Sequence, residues 1–221
     1  MRVYKFRSKK WGIDALIKNH LKVSPLDELN DPFEYLSVNI GDRSLRKFIK
    51  DRRNFLGSNG AIISFCANWS NPVIWSHYAD SHRGIALGFD IPDNFLFKIQ
   101  YEDKPLSFNS EYLSDPNKIL ELFKYIGKTK FKHWEYENEY RLFYDLERSK
   151  RENPDDKLFF QPFEPDMQLK EVILGCRYQG GENSALENKL VDNGISISTA
   201  RPSFTEFKIV KQNKKRLQKN I

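Results

Sequence analysis

Hydrophobic positions alternate with polar ones along some stretches of the chain and recur at helical spacing along others. Alternation predicts a short strand in "RVYKFR", and an unbroken apolar run predicts a buried strand in "AIISFCA". Trp11 and Ala15 share one face of a predicted helix, and "RSLRKFIKDRRNFL" predicts a basic amphipathic helix. Strands and helices therefore follow one another without a regular alternation.

Capping residues mark further helices. Asn71 and Pro72 predict the start of one helix, and Gly84 predicts its end. A second helix is predicted after Asp115, in "DPNKILELFKYIGKTKF". The stretch "SKRENPDDK" (149–157) predicts a polar loop.

The last third of the chain predicts a strand, a helix and a strand in "KEVILGCRY", "NSALENKLVDNG" and "ISISTARP". This order is typical of a βαβ or split unit. We therefore predict an α+β fold, with a single domain over residues 1–207 that contains a mixed, strand-rich split sheet and flanking helices.

Composition narrows the class of protein. The mean hydropathy is -0.65, and no apolar run approaches the roughly 20 residues that span a bilayer. The N-terminus "MRVYKFRSKKWG" is charged and lacks the apolar stretch of a signal peptide. Cys66 and Cys176 are far apart, which favours two reduced, buried thiols. We expect a cytoplasmic protein without a membrane partner.

The net charge of +6 belongs to the C-terminus. Residues 208–221 hold six basic side chains and no acidic one, so their removal would leave 30 basic and 30 acidic residues. Such a tail can bind nucleic acid without sequence specificity, and the alternative is a solvated, frayed terminus.

Common catalytic motifs are absent. The sequence contains no G-x-G-x-x-G, P-loop, H-E-x-x-H or G-x-S-x-G motif. His77 and His82 are five residues apart and so do not share a helix face as paired metal ligands would. We predict no metal site.

The most unusual stretch is "FKHWEYENEYRLFY" (131–144). On a strand, Glu137, Glu139 and Arg141 would point to one side, joined by Glu135 if the strand extends that far. Arg141 can pair with Glu139, and paired carboxylates suit the stabilisation of an oxocarbenium-like centre. A solvated strand edge is the alternative interpretation.

Other polar residues stand in apolar or constrained surroundings. Arg7 ends the first strand, where a guanidinium can hold a phosphate or carboxylate, although it can equally be a surface residue. Ser64 lies within an apolar strand and faces either a ligand or a neighbouring carbonyl. The loop "NDPFE" offers Asn30, Asp31 and Glu34, or forms an Asx-type turn with its phenylalanine in the core.

Aromatic and histidine side chains cluster in "WSHYADSH". Trp75, His77 and Tyr78 are candidates for binding a ligand, with core packing as the alternative for the two large rings and surface exposure for the histidine.

Several motifs together resemble an uncharacterised bacterial family of domains of unknown function. They are "VYKFR", "LNDPFE", "WSHYADSHRG", "WEYENEYR" and "EVILG", in this order across residues 3–176. The resemblance implies no established activity, and it suggests a context of phage defence or mobile genetic elements.

The order Arg7, Ser64, Glu137-Asn138-Glu139 also resembles the Arg-Ser-Glu type of ADP-ribosyltransferases. That resemblance implies a split α+β fold with NAD bound in a cleft. Arg7 would anchor ribose or phosphate, Ser64 would position the nicotinamide ribose, Glu139 would stabilise the oxocarbenium, and Glu137 would orient an acceptor.

The resemblance also implies that Trp75 or Tyr78 stacks on nicotinamide. The chain departs from that family's pattern, because its Ser-Thr-Ser run is "SFC" here and the helix before Trp75 has no clear counterpart.

Three functions follow as expectations. The first is an enzyme that cleaves the nicotinamide bond of NAD, by ADP-ribosyl transfer to a protein or nucleic acid or by hydrolysis, as a toxin or defence effector. The second is a nuclease or nucleic-acid-binding protein, indicated by the basic helix 43–53 and the tail. The third is a nucleotide sensor without catalysis. The sequence leaves the oligomeric state open.

Overall fold

The computed structural model describes residues 1–34, 36–146, 150–151, 158–181 and 183–221. Of the predicted polar loop, Lys150–Arg151 forms a short strand, and residues 149 and 152–157 lie outside the described ranges.

Within these ranges the α-helices are α1 (Lys9–Lys18), α2 (Arg43–Asn59), α3 (Pro72–Tyr78), α4 (Pro116–Lys128) and α5 (Ser184–Asp192). Short 3-10 helices are formed by Leu26–Glu28, Asp93–Phe95, Ser110–Ser114, Lys132–Glu137 and Lys215–Leu217.

The strands in the first half of the chain are β1 (Arg2–Arg7), β2 (His20–Pro25), β3 (Gly60–Cys66), β4 (Ile85–Asp90), β5 (Phe97–Lys98) and β6 (Gln100–Glu102). Those that follow are β7 (Thr129–Phe131), β8 (Glu139–Asp145), β9 (Lys150–Arg151), β10 (Phe159–Pro162), β11 (Gln168–Leu174), β12 (Ser196–Pro202) and β13 (Ile209–Lys211).

The chain forms two compact units. Unit 1 comprises Met1–Leu21, Ser64–Leu96 and Pro162–Ile221, and unit 2 comprises Lys22–Ile63 and Phe97–Gln161. Each unit combines helices with strands, so the predicted α+β class is confirmed. The prediction of a single domain over residues 1–207 stays a prediction.

Unit 1 is built on a strand-rich sheet in the order β13-β12-β11-β4-β1. β11 and β12 run parallel and are connected by α5, which confirms the predicted strand-helix-strand unit. The other neighbouring strands are antiparallel, and Arg7 pairs with Ile85 in the register of β1 and β4. Phe89 of β4 packs against Phe65 and Phe163, and the core around these rings also contains aliphatic side chains such as Leu87 and Val172.

The basic C-terminal segment 208–221 is part of unit 1. Ile209–Lys211 pairs with β12, and the side chain of Ile221 is buried. The backbone N–H groups of Gly181 and Asn183 donate to the carbonyls of Asn220 and Ile221. A frayed terminus is therefore the wrong interpretation of this segment.

Unit 2 has its core where α2 and α4 pack together. Leu45 and Ile49 of α2 share one buried cluster with Leu122 and Ile126 of α4 and with Ile62 of β3. Asp115 caps α4 by accepting from the backbone N–H groups of the first helical turn, as its sequence predicts. β5 pairs antiparallel with β8, and β6 pairs parallel with β7.

Cys66 and Cys176 form no disulfide with each other, and each is partly, not fully, buried. Among the described residues, every helix is too short or too polar to cross a membrane.

Candidate functional site

In the stretch 131–144, a 3-10 helix and a turn precede the strand, and together they place Glu137 and Glu139 in the interior of unit 2. Lys132–Glu137 forms a 3-10 helix, and β8 begins only at Glu139. Asn138 between them adopts a left-handed conformation with φ 44°, which this residue type tolerates. Glu137 and Glu139 are both buried, whereas Glu135 is exposed. The prediction that one strand contains Glu137 together with Glu139 and Arg141 is therefore wrong, and the strand does not extend to Glu135.

Arg141 is the centre of this group and is only 1% exposed. Its Nε and one terminal nitrogen donate to Glu139 at 2.6 and 3.1 Å, so the predicted pair is present. Its two terminal nitrogens also donate to Glu34 at 2.6 and 3.1 Å. Two bidentate contacts fix the guanidinium and connect the loop 30–34 to β8.

Lys130 of β7 completes what we call the charge cluster, namely Glu34, Lys130, Glu137, Glu139 and Arg141. Its Nζ lies 2.7 Å from Glu137, 3.3 Å from Glu139 and 3.6 Å from Glu34. The sequence does not single out Lys130, because a lysine in a three-residue strand carries no signal of burial. Only tertiary contacts place it among the glutamates.

The charge cluster keeps its cations protonated. Burial alone would lower the pKa of Lys130, but the negative charges of Glu139, Glu137 and Glu34 outweigh it and raise that pKa. Burial would also lower the pKa of Arg141, but the negative charges of Glu139 and Glu34 outweigh this effect and raise that pKa. Because all five side chains are buried, a solvated strand edge is excluded.

The loop 30–34 forms an Asx-type turn next to the cluster. Asp31 accepts from the backbone N–H of Phe33 at 2.9 Å through Oδ1, and its buried Oδ2 has no hydrogen-bond partner among the described residues. Asn30 is exposed. Phe33 is 65% exposed, so the expectation that its ring lies in the core is wrong.

A cavity of about 210 Å³ adjoins the charge cluster. The rings of Phe33 and Phe131 line it together with Lys130, whose ammonium also lies 4.8 Å from the centre of the Trp134 ring. The other lining residues are Leu36, Ser37, Glu102, Asp103, Lys104, Pro105 and Thr129. The side chain of Lys130 thus lines the cavity and also contacts the buried carboxylates.

Arg7 and Ser64 belong to unit 1, whereas Glu137 and Glu139 belong to unit 2. Arg7 is at the end of β1, and desolvation lowers its pKa to about 10. Ser64 is partly buried on β3, and its backbone carbonyl accepts from Lys5 Nζ at 2.8 Å.

The aromatic candidates lie on α3 of unit 1. Trp75 is 0% exposed, donates its indole N–H to the Trp69 carbonyl at 2.6 Å, and packs edge-on against Phe6. It is a core residue. His77 is exposed and Tyr78 partly buried, with ring centres 6.1 Å apart.

The chain leaves α3 through an unusual turn. Instead of continuing to Gly84 as predicted, the helix ends at Tyr78, and Asp80, Ser81 and His82 take φ values of 46°, 50° and 70°. Three successive non-glycine residues in this region are uncommon and cost conformational energy. The sequence did not indicate this turn.

His82 stacks on the Trp75 ring at 6.4 Å, and its Nδ1 is buried without a hydrogen-bond partner among the described residues. Burial, with the charge of Arg177, lowers the pKa of His82. Its carbonyl oxygen approaches Gly175 so closely that a side chain there would collide with it.

A model of a family described as "Protein of unknown function (DUF2971)" matches residues 74–142. The matched region contains "WSHYADSHRG" and "WEYENEYR", and it leaves "NDPFE" outside. No curated protein and no solved structure matches the chain.

Proposed function

We propose that this protein binds NAD by its nicotinamide end at the cavity of unit 2 and cleaves the bond between nicotinamide and ribose. The observation that carries the proposal is the charge balance beside the cavity. Three buried carboxylates face two buried cations, which leaves one formal negative charge next to two accessible phenylalanine rings.

The nicotinamide ring of NAD carries a positive charge. Aromatic faces attract cations, and buried negative charge strengthens that attraction because little solvent screens it. Phe33 and Phe131 are both exposed enough to contact a planar ring. A cavity of about 210 Å³ accommodates such a ring but not a whole dinucleotide, so the remainder of NAD would extend outside it.

Cleavage breaks the bond between ribose carbon and ring nitrogen. The bonding electrons move to the nitrogen, nicotinamide leaves as a neutral molecule, and the ribose becomes an oxocarbenium ion. Fixed negative charge stabilises this cation as it forms. Water or an acceptor group on a protein or nucleic acid then bonds to the ribose carbon, and its proton leaves to solvent.

The carboxylates of the cluster act through their charge in this proposal. Glu139 is 3% exposed and contacts Arg141 and Lys130, so we assign it an electrostatic role. The roles of Arg7 and Ser64 that the ADP-ribosyltransferase resemblance implies are separate, and Arg7→Ala and Ser64→Ala test them in the assay below.

The test is release of nicotinamide from NAD by the purified protein and by Glu137→Gln. This variant keeps an acceptor for Lys130 but makes the cluster formally neutral, with two carboxylates and two cations. We expect kcat to fall about 100-fold or more, since loss of one preorganised electrostatic group typically costs about 2.7–4 kcal/mol of transition-state stabilisation. Phe33→Ala should instead raise KM.

Glu135→Gln is the matched control, because Glu135 lies on the same 3-10 helix and is exposed. It should leave kcat unchanged, and thermal unfolding checks that Glu137→Gln stays folded. Equal activity of Glu137→Gln and wild type would contradict the proposal, as would absence of both NAD binding and nicotinamide release. Binding without release would assign the cavity to a nucleotide sensor.

A further inference from the structure

Helix α2 presents a face that the reaction above does not use. Leu45 and Ile49 are buried in the core of unit 2, which fixes the rotation of the helix. At about 100° per residue, one arc of roughly 120° collects five cations. We call these residues the basic face: Arg43, Arg46, Lys47, Lys50 and Arg53.

The acidic residues nearest in sequence to the basic face are Asp42 and Asp51. Among the residues that the structure describes, no carboxylate forms an ion pair within 4.0 Å of any of these five side chains. In contrast, Lys118 of α4 pairs with Glu121 on its own helix. Mutual repulsion of these five cations disfavours the bare helix and is relieved when anions bind.

Part of the basic face lines a cavity of about 400 Å³. Its walls are Arg46, Lys50 and Arg53 with the uncharged residues Leu36, Ile40, Ile49 and Asn54. Arg46 is held in place, because it donates to the carbonyls of Ile40 and Gly41 at 3.0 and 2.9 Å. A pre-positioned guanidinium with two further basic groups and no carboxylate is suited to a phosphate.

We propose that the basic face of α2 binds the phosphate backbone of a nucleic acid. From Arg43 to Arg53 the helix rises about 15 Å, which spans several phosphates of one strand at about 3.4 Å of axial rise each. An anionic membrane is disfavoured as the partner, because a membrane-bound helix must insert an apolar face. The apolar face of α2 packs into the protein core.

The experiment measures fluorescence anisotropy of a labelled single-stranded RNA and of a DNA duplex with the full chain, from 50 to 300 mM salt. The test variant is Lys47→Ala/Lys50→Ala/Arg53→Ala. Arg46 is left unchanged because its side chain also donates hydrogen bonds to the carbonyls of Ile40 and Gly41. We expect affinity at 100 mM salt to fall about tenfold or more. The slope of log K against log salt should decrease by about 2 for single strands and by nearly 3 for the duplex.

Arg52→Ala is compared with Lys50→Ala as a matched pair of single variants. Arg52 is an exposed cation of the same helix, but it lies outside the arc of the basic face. Lys50→Ala should reduce the salt slope by somewhat less than 1, and Arg52→Ala should leave it unchanged.

The C-terminal segment supplies the competing explanation. Deleting it would remove β13 and the buried Ile221, so Lys214→Ala/Lys215→Ala/Arg216→Ala is the cleaner change. If this variant loses binding while the α2 variant retains it, the proposal is overturned in favour of the tail. Absence of salt-dependent binding by the wild type, or equal effects of Arg52→Ala and Lys50→Ala, would overturn it too. These outcomes are independent of nicotinamide release.

Discussion

The ion pairs of the two units differ in their exposure to solvent. In unit 2, Arg141, Lys130 and three glutamates form a group that is almost completely removed from solvent. In unit 1, Arg2 pairs with Asp90 at 2.5 Å and with Glu171 at 2.7 Å, but these side chains are partly exposed.

Equal distances therefore do not imply equal energies. A partly exposed pair is screened by water and contributes about 0–1 kcal/mol, whereas removing one partner of a buried pair leaves an uncompensated charge. The hydrogen bond from Arg2 lowers the pKa of Asp90. Burial and the hydrogen bond from Tyr4 to Glu171 raise the pKa of Tyr4 to about 12, and Arg2 opposes this rise. We therefore expect the loss of one charged side chain to destabilise unit 2 far more than unit 1.

The largest expected effect is that of Arg141→Met. This change nearly conserves volume but strands the carboxylates of Glu34 and Glu139 in the interior, at a cost of about 3–5 kcal/mol. Urea denaturation measures the loss in free energy of unfolding. Met167→Leu in the buried core of unit 1 is the control and should cost less than about 1.5 kcal/mol. A similar loss in free energy of unfolding for both variants would show that the buried charges do not dominate the stability of unit 2.

A smaller effect is expected for Arg2→Met. Its pairs with Asp90 and Glu171 are partly exposed, so the free energy of unfolding should fall by no more than about 1 kcal/mol. That difference should shrink further in 1 M salt, where the screening length is about 3 Å, while the cost of Arg141→Met should persist. A salt-independent cost of several kcal/mol for Arg2→Met would remove the contrast between the units.

The smallest expected effect concerns pH and His82. Burial lowers the pKa of His82 below its ordinary value of 6.5, so below pH 6.5 the unfolded chain takes up a proton that the folded chain resists. Above pH 6.5 this group contributes no pH dependence. The free energy of unfolding should decrease as the pH falls from 6.5 through the folded pKa.

Denaturation at pH 7.5 and at pH 5 checks this prediction. His82→Asn, whose side chain tolerates a positive φ, should lose less stability on acidification than the wild type. His77→Asn is the control at an exposed histidine and should retain the wild-type difference. An unchanged difference in His82→Asn would show that His82 is not the titrating group.

Local patterns identified much of the architecture. The helix after Asp115 and the strand-helix-strand unit near the C-terminus are where the sequence placed them, because caps and apolar periodicity act over one or two turns. The wrong prediction for the end of α3 also has a local cause. Three left-handed residues end α3 at Tyr78, a turn for which Asp80, Ser81 and His82 give no glycine signal.

For the candidate site, the sequence by itself determined the carboxylate-rich stretch, the pairing of Arg141 with Glu139 and the unusual loop 30–34. Only the tertiary structure decided that Glu34 and Lys130 join them and that all five charges are buried. The physical reason is separation along the chain. Glu34 and Arg141 are 107 residues apart, and a contact at that separation depends on how β-strands and loops pack, not on any local pattern.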